Sequence, residues 1–406
     1  MMSKVINFIK KEVVLCVALV LAVVSAFIVP PDGAYIGYID FHTLAILFCL
    51  MGVMAGFRYI GMFQWIAGKL LKKVQNPSGI VMLLVMLCFF FSMLITNDVA
   101  LITFVPFTFV VGKMLGENIY RRMVLPTVVL QTIAANLGSM LTPIGNPQNL
   151  YLYGISGMSL VEFMKIMLPY SVASLVLLVA CSLIFGCKLE KGTVGEGNES
   201  ISESDRDGSV SAAAQSGDMA SLEQGITPAD KKGSLVIYLV LFVMCLLTVA
   251  QILPLWITFV AVIIGISVTA YKELAHIDYA LLLTFVAFFI FIGNMGRIPA
   301  FANLLQSLIT GNEELVAILA SQCISNVPAA LLLSGFTSDV PALMVGTNLG
   351  GLGTLIASMA SLISYKYVVA ECVTNEIPGG KGKYFLLFTV SNICFLIALV
   401  VLYLCI

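Results

Sequence analysis

The chain has 406 residues, 60% of them hydrophobic and 11% charged, with a net charge of −1 and a mean hydropathy of +1.04. That composition excludes a water-soluble protein, and the lack of any basic tract interleaved with aromatics argues against a nucleic-acid partner. Apolar runs of about 17–25 residues recur along most of the sequence, the length that crosses roughly 30 Å of hydrocarbon as helix; the short alternating segments of a β-barrel do not occur.

The runs predict an all-α polytopic membrane protein with about nine full spans plus two hairpins. In chain order the spans fall at 13–29, 41–57, 123–156, 163–187, 233–252, 254–271, 277–293, 341–370 and 384–405. Lys4, Lys10 and Lys11 ahead of the first run, with Val24-Ser25-Ala26 behind it, mimic a signal peptide. So many further spans favour an uncleaved first helix and a cytoplasmic N-terminus. Two stretches, 79–112 and 313–337, do not behave as simple spans. Lys69, Lys72 and Lys73 precede the first, and Lys113, Arg121 and Arg122 follow it, so both its ends belong on the cytoplasmic side and it reads as a re-entrant hairpin. The second is flanked by Asn312-Glu313-Glu314 and Thr337-Ser338-Asp339, without Lys or Arg, which places both its ends outside. Lys272, Lys366, Lys381 and Lys383 then lie on inside loops, and the C-terminus lies outside.

The halves therefore read as two inverted-topology repeats, 1–187 and 253–406, each with two helices, a hairpin, a broken helix (123–156 or 341–370) and one more helix. Between them, 188–232 is dominated by Gly, Ser, Ala and acids and reads as a flexible cytoplasmic linker. The helix at 233–252 supplies the odd crossing that an inversion requires. Arg58 and Arg297 end corresponding helices and precede amphipathic stretches at 62–73 and 298–309, which suits interfacial arms with snorkelling arginines. The ten cysteines lie mostly in apolar runs without a CxxC pair, and His42 and His276 are isolated, so neither suggests a metal site.

Each predicted hairpin and broken helix carries polar residues where hydrocarbon is expected. The hairpin tips are Thr96-Asn97-Asp98 and Ser325-Asn326-Val327. The broken helices open on Asn136-Leu137-Gly138 and Asn348-Leu349-Gly350, and aligning these motifs pairs Asn146 with Ser358 and Asn149 with Ser361. Backbone that leaves helical geometry in lipid costs several kcal/mol per unsatisfied group, so it survives only when buried in protein or lining a wet cavity. Half-helix N-termini suit an anion and their C-terminal carbonyls suit Na⁺. A single Asn, Gly or Pro in a membrane helix usually serves packing or a kink; two inverted copies point to a site. The candidates for substrate are Thr96, Asn97, Asn146, Asn149, Ser325, Asn326, Ser358 and Ser361. Those for ion coupling are Asn97, Asp98, Thr142, Gly145, Asn326, Asn348, Gly350 and Thr354, with Na⁺ at Asn97, Asp98, Asn146 and Asn326 as one form of it. Asp98 has no counterpart, since Val327 holds the equivalent place, and no Lys or Arg lies near it in its span. It is suited to carrying a proton, to ligating Na⁺ or to capping the second hairpin helix.

These segments resemble the ion-transporter superfamily, which includes arsenite permease and NhaD-type Na⁺/H⁺ antiporter relatives, citrate carriers and divalent anion/sodium symporters. The resemblance rests on Thr96-Asn97-Asp98-Val99-Ala100-Leu101, Pro143-Ile144-Gly145-Asn146-Pro147-Gln148-Asn149 and Ser325-Asn326-Val327-Pro328-Ala329. It covers nearly the whole chain apart from the linker. It implies tips that contact an anion with Na⁺ beside them, a homodimer and an elevator-like motion. The third tip position departs from the Ser-Asn-Thr of the dicarboxylate carriers in both halves, and Asp98 is closer to the Asn-Asp of arsenite-permease-like members.

The expected function is secondary active transport of a small anion, organic or inorganic, coupled to H⁺ or Na⁺. Na⁺/H⁺ exchange through Asp98 and efflux of a neutral metalloid hydroxide such as arsenite are the alternatives. No HExxH, GxSxG or Walker sequence is present, so neither an enzyme nor an ATP-driven pump is expected and no cofactor is called for beyond the coupling ion. The compact build and the resemblance suggest a bacterial plasma membrane.

Overall fold

A computed structural model describes residues 12–74, 76–195, 232–374 and 380–406. Lys4, Lys10, Lys11 and residues 196–231 of the expected linker lie outside the described residues. Helices account for nearly all of what is described, and no strand occurs among those residues.

In chain order the helices are α1 (Val13–Ile28), α2 (Tyr35–Tyr38), α3 (Phe41–Tyr59), α4 (Met62–Leu71), α5 (Pro77–Ser92), α6 (Asn97–Met114), α7 (Glu117–Ser139), α8 (Pro147–Ser156) and α9 (Leu160–Gly195). After the linker come α10 (Lys232–Val249), α11 (Leu255–Ala270), α12 (Tyr279–Gly296), α13 (Pro299–Ile309), α14 (Glu313–Ile324), α15 (Asn326–Ser334), α16 (Val340–Leu349), α17 (Met359–Thr374) and α18 (Gly380–Cys405). Six described helices are long and apolar enough to cross a membrane by length and composition. The expected interfacial arms correspond to α4 and α13. Helix α9 continues to Gly195, several residues into the stretch read as linker.

Local chemistry sets the starts. Asp40, Asp278 and Asp339 cap α3, α12 and α16, accepting from the backbone N–H groups of Thr43, Leu281 and Ala342. Ser159 and Glu162 form a reciprocal capping box at the start of α9. Pro77, Pro147, Pro299 and Pro341 open helices in the first turn, where a missing N–H costs nothing.

The outer face is apolar, and the interior is an apolar core in which buried polar side chains are set. On α18, Tyr384, Phe388, Asn392, Phe395 and Leu399 are buried, while Phe385, Leu386, Val390, Ile397 and Val401 are exposed. In water such a face would be a liability; in lipid it is the solvated face. Buried Gln131 ties three helices together: its amide accepts from Thr108 of α6 at 3.0 Å and donates to the Leu84 carbonyl of α5 at 3.3 Å. A polar side chain inside a membrane helix is tolerated where it is partnered in this way.

Packing crosses between the two halves. Helix α1 lies against α12, and α11 lies against α3; α6 lies against α17, and α15 lies against α8. At one end Arg297 pairs with Asp32 at 2.7 Å, and Asn294 donates to Ser25 Oγ and to the Tyr35 hydroxyl. At the other, Glu371 of α17 accepts from the Tyr120 hydroxyl and pairs with Lys113 at 2.7 Å.

Candidate functional site

Helix α5 ends at Ser92 and α6 begins at Asn97, leaving a four-residue break; α14 and α15 are separated by Ser325 alone. Ser325 sits at φ 73° and ψ 153°, a conformation that costs a non-glycine residue about 1–3 kcal/mol and persists only where the surroundings enforce it. Helix α7 stops at Ser139 and α8 starts at Pro147; α16 stops at Leu349 and α17 starts at Met359. Both expected tips and both broken helices are therefore interrupted where the sequence marked them.

The same fastenings hold each tip to the break in its own half. The Asn97 N–H donates to the Gly145 carbonyl at 3.0 Å, and the Asn326 N–H donates to the Ala357 carbonyl at 2.9 Å. The Thr142 hydroxyl donates to the Met93 carbonyl, and that of Thr354 donates to the Gln322 carbonyl at 3.3 Å. Gly138 lies against Ser92 and the Phe89 carbonyl, where a Cβ would approach to 2.1 Å; Gly350 lies against Ser321. Three of the expected ion-coupling residues thus have structural duties: Thr142 and Thr354 pin the tips, Thr354 being exposed, and Gly350 permits a close approach.

Between the halves the bonds are reciprocal. Asn146 Nδ2 donates to Asn348 Oδ1 at 3.1 Å, and Ser358 Oγ donates to Asn136 Oδ1 at 2.9 Å. Asn136 also accepts from Asn97 at 3.2 Å and donates to the Gly351 carbonyl at 3.3 Å. Asn348 donates to Asn149 Oδ1 at 2.6 Å. Asn149 in turn spans the first break, its amide reaching the Met140 carbonyl at 3.3 Å. Asn97, Asn146, Asn149, Asn326, Asn348, Ser325, Ser358 and Ser361 are all buried at these two breaks.

Helices α6, α8, α15 and α17 all start around one crevice, lined by Asn97, Asp98, Gln148, Asn326 and Ser358 with apolar neighbours. Their N-termini bring positive dipole ends around it, an environment that favours negative charge. Asp98 is the acidic side chain that lines it. Its Oδ1 is buried with no hydrogen-bond partner among the described residues. It is not the helix cap: Thr96 holds the cap position of α6, and the Asp98 N–H is taken by Asn97 Oδ1 at 2.9 Å. Of the residues considered for Na⁺, Asp98 and Asn326 have side-chain oxygens outside any hydrogen bond among the described residues. The oxygens of Asn97 and Asn146 already accept from Asp98 and Asn149 N–H groups.

A cavity of about 550 Å³ opens from the crevice, lined by Thr96, Asp98 and Asn146 together with α3 and the start of α12. Arg58, His276 and Asp278 also line it. The tertiary structure thus brings a basic residue into the chamber of Asp98, although none is near it in sequence. Gln322 is a further residue that was not singled out: its amide donates to the Gly350 and Leu352 carbonyls at 3.0 and 2.8 Å and accepts from the Thr354 N–H at 2.9 Å. It closes the second break as a surrogate for lost helix bonds. A glutamine four residues before Asn326 on an apolar helix was the only available signal.

Residues 1–341 match the citrate transporter family, CitMHS. The chain is 30% identical over 332 residues to the inner membrane protein YbiR of Escherichia coli strain K12, which covers 81% of this chain and 80% of that protein. It is likewise 30% identical over 332 residues to the uncharacterized transporter MJ0456 of Methanocaldococcus jannaschii, covering 81% of each. A shorter match, 28% identical over 148 residues, joins 36% of this chain to 29% of the silicon efflux transporter LSI3 of Oryza sativa subsp. japonica. With its helices, its paired breaks and these similarities, the chain belongs to the citrate transporter family, part of the ion transporter superfamily.

Proposed function

We propose that the protein is a secondary active transporter that moves a small anion, organic or inorganic, across a bacterial plasma membrane, coupled to H⁺ or Na⁺. The observation that carries this reading is the reciprocity of the two breaks: Asn146 bonds to Asn348 as Ser358 bonds to Asn136, and each tip is fastened to its own half by matching bonds. Such pairing is what inverted repeats with two re-entrant hairpins would produce, and it suits alternating access around a fixed site. The cavity reaches that site from the side bearing Arg58 and His276. Lys69 and Lys72 at the end of α4 and Lys272 in the turn after α11 follow Arg58 and precede His276 in the chain, which supports an inward-facing state by the positive-inside rule. Arg58 favours anion entry. A bare anion about 4 Å from an ionised Asp98 would meet roughly 4 kcal/mol of repulsion at an effective dielectric constant near 20, so an accompanying cation is part of the reading. We further propose a homodimer in which the tips and broken helices move against the scaffold of α1, α3, α11 and α12.

Asp98, the one ionisable group in the crevice, favours Na⁺/H⁺ exchange as a second reading, and similarity to a silicon efflux transporter favours export of a neutral hydroxide. Proteoliposomes under separate Na⁺ and pH gradients separate the three. The expected result is anion uptake driven by one cation gradient and lost in Asp98→Asn. Na⁺-dependent proton movement without an anion would instead make the protein an exchanger. Labelling of Met51→Cys in the cavity wall, in a background without the native cysteines, is expected from both sides of the membrane during turnover.

A further inference from the structure

Helix α4 is buried along one stripe and exposed along the opposite one. Phe63, Ala67 and Leu71, each one turn from the next, are buried; Trp65 and Lys69 are exposed, and Lys72 and Lys73 follow, also exposed, at its end. The Lys69 ammonium sits 3.8 Å from the centre of the Trp65 ring, so the indole and the charge share one level. No Asp or Glu occurs between Arg58 and Asn97, so the stretch that holds the three lysines carries positive charge alone. The corresponding helix of the other half, α13, has no ionisable residue.

The buried stripe leads toward the site. Phe63 packs against Phe57 of α3 with ring centres 6.0 Å apart, and edge-on against Phe91 of α5 at 5.8 Å. Phe91 in turn meets Phe104 of α6, the helix that carries Asp98, at 5.3 Å. Helix α4 therefore joins α3 to the first hairpin through its apolar face, while its basic face stays exposed. An exposed indole beside several ammonium groups matches the boundary between acyl chains and headgroups, where Trp sits at headgroup level and each Lys gains from anionic lipid. Zwitterionic headgroups bring no net charge to the lysines, and a soluble anion would leave the apolar indole in water. We propose that α4 is a binding arm for anionic phospholipid headgroups, and that its occupancy holds the Asp98 hairpin against α3. This rests on the carrier reading above only for the leaflet, which is the cytoplasmic one.

The test uses the full-length protein in vesicles of equal parts phosphatidylglycerol and phosphatidylcholine, with brominated, quenching acyl chains on one lipid or the other. The chain has two tryptophans, so Trp256→Phe leaves Trp65 as the reporter; Trp65→Phe leaves Trp256, on the uncharged helix α11, as a control. The expected result is an enrichment of phosphatidylglycerol at Trp65 of at least about fivefold, the gain from one lysine near an anionic surface, and none at Trp256. Salt should reduce it, and joint Lys69→Gln, Lys72→Gln and Lys73→Gln should abolish it. Equal quenching by the two lipids at Trp65 would overturn the proposal. So would a preference that survives the triple substitution, since the lysines would then serve only the C-terminal dipole of α4. The link to the hairpin is read by labelling Met51→Cys with a membrane-impermeant maleimide, in the background without the native cysteines. Omitting phosphatidylglycerol should change the labelling rate with the lysines present and leave it unchanged in the triple variant; the same response in both would overturn that link. Quenching reads α4 whether or not the protein carries anything, so failure of the carrier reading would leave the lipid result standing.

Discussion

Asn348 Oδ1 accepts from Asn146 Nδ2 at 3.1 Å across 202 residues of sequence, joining the end of one half-helix to the start of another in the opposite half. Ser358 and Asn136 make the corresponding bond at 2.9 Å. Both broken helices are thus stitched to each other and not merely interrupted. The backbone groups freed by each break are taken up nearby, so non-helical chain is tolerated at this depth.

Replacing either bridging asparagine should loosen the whole centre. Asn348→Ala removes bonds to Asn146, Asn149 and the Met344 carbonyl and leaves buried amide groups unpaired. The expected cost is about 1–3 kcal/mol, with transport reduced at least tenfold. Asn136→Ala should behave alike. Melting of the detergent-solubilised protein, read beside initial uptake rates, checks both, and an unchanged melting temperature in either variant would contradict the stitching role.

Gly138→Ala and Gly350→Ala test how closely the helix before each tip, α5 or α14, must approach its broken helix. At Gly138 the new Cβ would meet the Phe89 carbonyl at 2.1 Å, and backbone cannot move aside. At Gly350 the nearest atom is Ser321 Oγ at 2.6 Å, which can rotate, and the fixed neighbours, Ser321 Cβ and the Gly346 carbonyl, stand off at 2.8 and 2.9 Å, so the clash is shallower. Gly138→Ala is therefore expected to be the more damaging, by about 1–3 kcal/mol of overpacking. Recovery of monodisperse protein is the direct comparison.

Ser325→Gly should relieve the strained φ of the second tip. Glycine adopts that conformation freely, whereas Ser325→Ala keeps the strain. The bond lost from Ser325 Oγ to the Ala357 carbonyl is long, at 3.5 Å. Ser325→Gly is expected to exceed Ser325→Ala in stability by about 1 kcal/mol, as thermal melting of the pair would show.

The Asp32–Arg297 pair predicts a pH dependence. Its hydrogen bond from Arg297, set against a small opposing effect of burial, holds the Asp32 carboxyl below its ordinary value of 3.8. A carboxyl depressed in the folded state contributes stability above the unfolded value, and that contribution is lost as pH falls through the folded value. The melting difference between wild type and Asp32→Asn should stay constant from about pH 7 to about pH 5 and close below the ordinary carboxylate range. Added salt should shrink it, because both groups are exposed.

The sequence by itself determined the apolar helices, their order and the positions of the breaks. Those are local consequences of composition: a run too apolar for water must be helical in lipid, and Asn136-Leu137-Gly138 or Pro143-Ile144-Gly145 cannot continue it cleanly. The same logic located Asn97, Asn146, Asn149, Asn326 and Ser358, because a buried polar side chain in such a run needs a partner. Which partner it finds was decided only by tertiary structure. Asn348 meets Asn146 and Asn149 of the other half, Thr142 and Thr354 serve the tips, and Arg58 shares a cavity with Asp98 although 40 positions separate them. Hydrogen bonds and free volume belong to the distances between helices, and spacing along one helix carries no record of them.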